Sequence, residues 1–202
     1  MPLNDISPKP AVLVVYASTH GHTAKIAARV ARVINDAGCR TDVRGAASAR
    51  SLSPRPYDAV VLAASVHMGK HQKAMVEFAA RHSTSLNDRP TVFLSVSLSA
   101  ADDTEESRVT TREMTDAFLD QTGLIPQRVE PVAGCLQYRE YDFMTRLLLR
   151  VITRKHPEAH DMSQDHDYTD WTRVDEVASE FALQVPGGPP GRLRTERGAV
   201  PA

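Results

Sequence analysis

The chain has 202 residues, a formal net charge of −1 at pH 7 and 42% hydrophobic residues. This length and apolar content predict one globular domain with a sizeable core. The near-zero charge argues against nucleic acid as a partner, because binding to a phosphate backbone needs a basic bias. The sequence shows no apolar stretch of transmembrane length, no signal-peptide pattern and no disulfide framework, since Cys39 and Cys135 are its two cysteines. We therefore expect a cytoplasmic protein.

Five short apolar runs alternate with helical patterns along the chain. The runs are residues 11–17, 41–45, 58–66, 91–98 and 131–136. Alternation of this kind predicts an α/β fold in which helices cover both faces of a parallel sheet.

The helical patterns fall at residues 23–37, 71–82, 103–121 and 170–184. The first helix is expected to end at Gly38, and Asp103 with Glu106 has the spacing of a capping box at the start of the third. Both ends of the chain, residues 1–10 and 186–202, are rich in Pro and Gly. We expect them to be disordered tails on a domain of residues 11–185, with an insertion-like segment at 137–168 before the last helix.

The first strand and the first helix are joined by the segment Ser18-Thr19-His20-Gly21-His22-Thr23. Such a turn exposes backbone N–H groups at a helix N-terminus, where the helix dipole also attracts an anion. Because the segment has no Lys or Arg, it suits one terminal phosphate, as in FMN, better than a triphosphate. The GxxxxGK[ST] and GxGxxG patterns are absent. The alternative is an ordinary turn in which Ser or Thr caps the helix.

Two further loops follow the third and fourth predicted strands, at residues 65–71 and 95–102. Ligands of open parallel sheets bind beyond the carboxyl ends of the strands. A flavin ring needs apolar surfaces against its faces and polar partners along its edge. The candidate ring contacts are Ser65, His67, Met68, Gly69, Ser97 and Leu98. The alternative is that these are solvent-facing loops whose Gly and Ser only permit turning.

Through STHGHT and these two loops, residues 11–136 resemble the flavodoxin-like superfamily. The combination of ASVHMGKH, VAGCLQYREYDFMTRLLLRVI and YTDW looks like the menaquinone-dependent protoporphyrinogen dehydrogenases, flavodoxin-like enzymes of haem synthesis. The resemblance implies a three-layer α/β/α sandwich with a five-stranded parallel sheet in the order 2-1-3-4-5. It also implies bound FMN, a tetrapyrrole as electron donor and a quinone as acceptor. His67 and Met68 stand where an Arg-Tyr pair is common in that family.

Histidines are the other residues with chemical potential. His67 beside a flavin could stabilise the anionic reduced ring or relay a proton. We favour a flavin contact over acid–base catalysis for His67. The sequence does not identify a catalytic residue, and His67 is the one candidate. His20 and His22 are not expected to bind a metal, because a phosphate site needs the backbone donors of their loop. His156, His160 and His166 lie among acidic residues, and we interpret that segment as a solvated loop rather than a metal site.

Residues 139–155 form a basic amphipathic stretch that is too short to span a bilayer. It is either a core helix with a charged outer face or an interfacial helix that contacts anionic lipid. In the second case Arg139, Arg146 and Arg150 are candidates for contact with lipid or with substrate carboxylates. The protein would then bind peripherally to the inner face of the membrane and reach a dissolved quinone there.

The sequence thus predicts an FMN-dependent oxidoreductase that oxidises a tetrapyrrole and reduces a quinone. An NAD(P)H-dependent quinone reductase is the main alternative, since no sequence feature excludes nicotinamide. A flavodoxin-type electron carrier would have aromatic rings in the ring loops and an acidic surface, and this chain has neither. The sequence leaves open whether the protein forms a homodimer.

Overall fold

A computed structural model describes residues 8–136 and 166–188. The parallel strands of its main sheet are β1 (Ala11–Ala17), β2 (Arg40–Gly45), β3 (Ala59–His67), β5 (Thr91–Ser97) and β6 (Arg128–Ala133). Their order is β2-β1-β3-β5-β6. Counted among themselves, these five strands follow the order 2-1-3-4-5, which confirms the predicted sheet.

Shorter strands and helices complete the described part. The short strand β4 (Lys70–His71) pairs antiparallel with β3, and β7 (Cys135–Leu136) pairs antiparallel with β8 (His166–Asp167). The helices are α1 (His22–Asp36), α2 (Lys73–Asn87), α3 (Glu105–Thr122) and α4 (Trp171–Ala182), with a 3-10 turn at Ser99–Ala101.

The central strand β1 shows why the fold has three layers. Val12 and Val14 belong to a buried cluster that includes side chains of α1 and α4, whereas Leu13 and Val15 belong to a cluster with α2 and α3. All four side chains are fully buried. Because side chains alternate along a strand, an uninterrupted apolar run covers both faces of the sheet, and each face needs its own helical layer.

Side chains cap the starts of two helices. The last helix was expected to begin at Asp170, and the Asp170 carboxylate caps α4 by accepting a hydrogen bond from the Arg173 backbone N–H at 2.9 Å. The predicted cap of α3 at Asp103 is wrong by one residue. Thr104 is the cap, and its hydroxyl accepts from the Ser107 N–H at 3.3 Å.

Two other boundaries differ from the sequence prediction. The helix expected at 71–82 is α2 at Lys73–Asn87, because His71 pairs with Val66 across the β3–β4 hairpin and is buried. The strand expected at 131–136 is really β6 followed by β7. Gly134 separates the two, and the edge strand β6 carries polar residues, including Arg128, that an apolar pattern leaves out.

Several predictions fall mainly outside residues 8–136 and 166–188. They are the two terminal tails, most of the segment 137–168, and the roles of Arg139, Arg146 and Arg150. The division into tails and domain stays a prediction. In the part of the chain that the structure describes, no helix has the length and apolarity needed to cross a bilayer.

The buried His71 predicts a dependence of stability on pH. Burial lowers the pKa of His71 from 6.5 to about 4, so the unfolded chain binds the proton more tightly. Stability is therefore full above about pH 6.5 and is lost as the pH falls towards 4. By this linkage, lowering the pH from 7 to 5 removes about 2 kcal/mol of the unfolding free energy. Urea unfolding of the parent and of His71→Gln should show a smaller loss in the variant. Equal losses in the two proteins would show that His71 is not the source of this pH dependence.

Candidate functional site

The carboxyl ends of four neighbouring strands meet at one edge of the sheet. The register places Ala17 beside Ala64, Ser65 beside Val96, and Ser97 beside Ala133. The segments after these strands enclose a cavity of about 100 Å³, which we call the carboxyl-end cavity. Among its described lining residues there is no carboxylate, lysine or arginine.

Most of the predicted site residues lie together in this cavity. Nine of them line it: Ser18, Thr19, His20, His22, Thr23, Ser65, His67, Ser97 and Leu98. Gly21 belongs to the same loop without lining the cavity. Met68 and Gly69 lie at the tip of the β3–β4 hairpin, outside the lining.

The first loop leaves the start of α1 open. Gly21 is the residue before the helix, in a left-handed conformation (φ +87°) that glycine adopts without strain. Ser18 Oγ accepts a hydrogen bond from the Gly21 N–H at 2.9 Å. No side chain caps α1 and no acidic residue lies in its first turn. The alternative of an ordinary capped turn is therefore wrong, and the first N–H groups of the helix are available to an anion.

The imidazole of His22 supports this loop through a hydrogen bond to Thr169. Its Nε2 lies 2.7 Å from Thr169 Oγ1, which itself donates to the Ala133 carbonyl oxygen at 2.8 Å. Because the Thr169 proton is used in this way, His22 must donate from Nε2. Trp171 meets the His22 ring edge-on, with ring centroids 5.9 Å apart.

His22 is neutral near pH 7. Burial lowers its pKa, and Asp167, whose carboxylate oxygen lies 3.5 Å from Nε2, offsets only part of this effect. His22 therefore adds no fixed positive charge to the cavity. Its backbone N–H, at the start of α1, is the group that can face an anion.

Helix α4 holds this support in place. Arg29 of α1 donates to Asp175 of α4 at 2.6 Å, and Arg173 of α4 donates to Glu130 of β6 at 2.7 Å. Glu130 is buried. Two charge-assisted contacts thus fix α4 against elements on either side of the cavity, and Thr169 is positioned just before that helix.

Gln72 joins the first loop to β3. Its side-chain amide donates to Ser65 Oγ at 3.1 Å and also to Thr19 Oγ1. Gln72 lies outside the motifs, and its role is set by the hairpin that returns the chain to this point.

Gly134 and Cys135 also line the cavity. Sequence reasoning missed both because it placed them inside a continuous strand.

The β3–β4 hairpin forms another wall. Met68 (φ 50°) and Gly69 (φ 75°) make its two-residue turn, in which both residues are left-handed as in type I′ turns. This conformation is uncommon for methionine, and the side chain of Met68 is 72% exposed. What the sequence indicated as a loop is a short antiparallel hairpin.

Metal ligation has no support in residues 8–136 and 166–188, where no group of three His, Cys, Asp or Glu side chains is placed to hold an ion. His156 and His160 lie outside these residues.

A larger cavity of about 630 Å³ lies between α3 and the edge strand β6. It is lined by acidic and basic side chains and does not meet the carboxyl ends of β1 and β3.

Known proteins are similar to this chain in sequence. A family model described as a flavodoxin domain matches residues 13–163. A protoporphyrinogen IX dehydrogenase (quinone) of Leishmania major is 34% identical over 187 residues, which cover 91% of this chain and 80% of that protein. The protein of the same name from Escherichia coli K12 is 30% identical over 170 residues, covering 84% and 93%.

Solved structures agree on the fold. Oxidised flavodoxin 1 from Bacillus cereus has a TM-score of 0.50 at 14% identity, covering 87% of this chain and 99% of that protein. A flavodoxin from the domain Archaea has a TM-score of 0.51 at 13% identity, covering 87% and 98%.

The Thr169 hydroxyl should contribute measurably to stability. Thr169→Val leaves the buried Nε2–H of His22 without its acceptor, which should lower the unfolding free energy by about 1–3 kcal/mol. Thr115→Val is the matched control, because the buried Thr115 hydroxyl donates only to a carbonyl of its own helix, at 2.9 Å. Denaturant unfolding of both variants measures the difference. Equal destabilisation would show that Thr169 does not support His22.

Proposed function

This chain belongs to the flavodoxin domain family, and on that premise we propose that it is an FMN-dependent protoporphyrinogen dehydrogenase that reduces a quinone. The observation that carries the cofactor assignment is the uncapped start of α1 at the carboxyl-end cavity. The substrate and acceptor are proposed from the names of the relatives, whose similarity extends over most of this chain.

The residues present fit FMN. Backbone N–H groups of His22 and Thr23, with the hydroxyls of Ser18 and Thr19, would hold its phosphate, and no carboxylate in the described lining opposes that charge. A cavity of about 100 Å³ is smaller than the roughly 300–1,000 Å³ that encloses a whole ligand. We therefore propose that it takes the phosphate end beside Ser18, Thr19 and Thr23, and that the flavin ring extends out of it past the strand ends.

The flavin ring would lie against the strand ends beyond that point. Val96 and Leu98 offer apolar surface, while Ser65 and Ser97 offer polar groups. When bound, FMN would accept a hydride from the donor, which also releases a proton, and would deliver two electrons and two protons to the quinone. His67 lines the cavity from the hairpin, and we propose it as a flavin contact that can hold a proton at the ring.

Access to a lipid-dissolved quinone requires contact with a membrane. We propose that residues 139–155 supply it through Arg139, Arg146 and Arg150, which lie outside the described residues. A Lys or Arg side chain near an anionic bilayer adds about 1 kcal/mol to binding. The same arginines could also pair with carboxylates of the substrate.

Parallel anaerobic reduction tests the function. FMN-loaded protein is mixed with protoporphyrinogen, coproporphyrinogen, NADH or NADPH, and loss of oxidised-flavin absorbance is followed. We expect protoporphyrinogen to reduce the flavin about 100-fold faster than either nicotinamide, a barrier difference of about 2.7 kcal/mol. A menaquinone analogue should then restore the absorbance. Faster reduction by NADPH would overturn the proposal in favour of an NAD(P)H-dependent quinone reductase.

A further inference from the structure

A second cavity, about 280 Å³ in volume, adjoins the same hairpin. Val76 of α2 and Met114 and Phe118 of α3 give it an apolar wall, and Lys70 and Lys73 lie at its rim. We call it the lysine groove. Its described lining contains these two cations and no carboxylate.

The two lysines have little compensating charge. Lys73 Nζ lies 3.6 Å from a Glu77 oxygen with its side chain 89% exposed, and Glu77 is also bonded to Arg50. Lys70 is exposed and forms no ion pair with any residue in 8–136 or 166–188. The groove therefore combines an apolar wall with a net positive rim, which complements an apolar molecule that carries carboxylates.

The hairpin links the lysine groove to the carboxyl-end cavity. His67 lines the cavity, and its cross-strand partner Lys70 lines the groove. Paired Cα atoms in an antiparallel hairpin are only about 5 Å apart, which is less than the width of a tetrapyrrole macrocycle. Met68, at the turn between them, presents an exposed apolar side chain.

The hairpin is also fixed to the core. His71 Nε2 lies 2.9 Å from Ser95 Oγ. Its ring packs beside Phe93 and Phe118, with centroid distances of 5.2 and 4.9 Å. The positions of the groove and the cavity relative to each other are therefore set by buried contacts.

We propose that the lysine groove binds a carboxylate side arm of the tetrapyrrole substrate, whose macrocycle extends over Met68 to the flavin. This inference rests on the proposed function and names a subsite for it. Lys70 and Lys73 would recognise the carboxylate, and the apolar wall would contact the attached ring edge. Neither lysine touches the reacting atoms, so they determine specificity and affinity rather than the rate of hydride transfer.

Binding of a non-reacting porphyrin tests the subsite in the FMN-loaded protein. The probes are mesoporphyrin IX, which carries two carboxylates, and its dimethyl ester, both followed by fluorescence titration. Removing two exposed ion pairs in Lys70→Gln/Lys73→Gln should weaken binding of the diacid about tenfold. Binding of the ester should not change. For protoporphyrinogen oxidation, KM should rise by a similar factor while kcat stays constant.

A second pair of variants changes charge at constant size. Ala117→Glu places a carboxylate in the groove wall and should weaken binding of the diacid, whereas Ala117→Gln should not. Arg112→Gln is a control cation on the same helix, in the lining of the other cavity beside α3. It should leave diacid binding at the parental level.

The outcomes separate this inference from the function on which it rests. If the parent is neither reduced by protoporphyrinogen nor binds the diacid, both proposals fail. If the parent does both and the lysine variant binds the diacid with parental affinity, the groove assignment alone is overturned. Equal loss of diacid and ester binding would also overturn it, because the lysines would then not be recognising carboxylate.

Discussion

The open start of α1 is the feature on which the rest of the site depends. α3 and α4 each begin with a side-chain cap, from Thr104 and Asp170, whereas α1 and α2 begin with none. Of these two uncapped starts, that of α1 lines the carboxyl-end cavity. Uncapped N–H groups in a partly enclosed cavity are costly unless water or a ligand satisfies them. The helix dipole makes an anion the favoured partner. This local electrostatic requirement supports the proposal that a phosphate ester binds there.

The loop at that point is supported by distant parts of the chain. His22 is held by Thr169, which lies 147 positions away in sequence, and α4 is fixed to α1 and β6 by arginine–carboxylate contacts. The segment 137–165 leaves the described structure after β7 and returns at β8, and these two strands pair beside the cavity. Cys135 of β7 lines the cavity, so the points where the chain leaves and re-enters the described structure lie close to the site.

The sequence predicted the strands and loops whose positions depend on the local pattern of residues. Apolar runs identified the five strands, and STHGHT was correctly placed between a strand and a helix, at the loop where we propose that the phosphate binds. Features set by distant contacts could not be found in this way. His71 has the pattern of a polar helix start, yet it is buried and packs beside the stacked rings of Phe93 and Phe118. Gln72 lies outside the motifs, and the YTDW motif that contains Thr169 gives no sign of a contact with His22. The role of Gln72 comes from the β3–β4 hairpin, and that of Thr169 from its position just after β8. The run 131–136 looked continuous because apolar composition does not reveal that Gly134 ends one sheet and Cys135 begins another.

Calorimetric titration of the apoprotein with FMN and with riboflavin tests the central claim most directly. The two ligands share the ring and differ in the phosphate. Charge-assisted hydrogen bonds contribute about 1.5–3 kcal/mol each, so two of them at the start of α1 should make FMN bind at least about 100-fold more tightly than riboflavin. Equal affinities for the two ligands would contradict the account, because the open helix start would then have no part in binding.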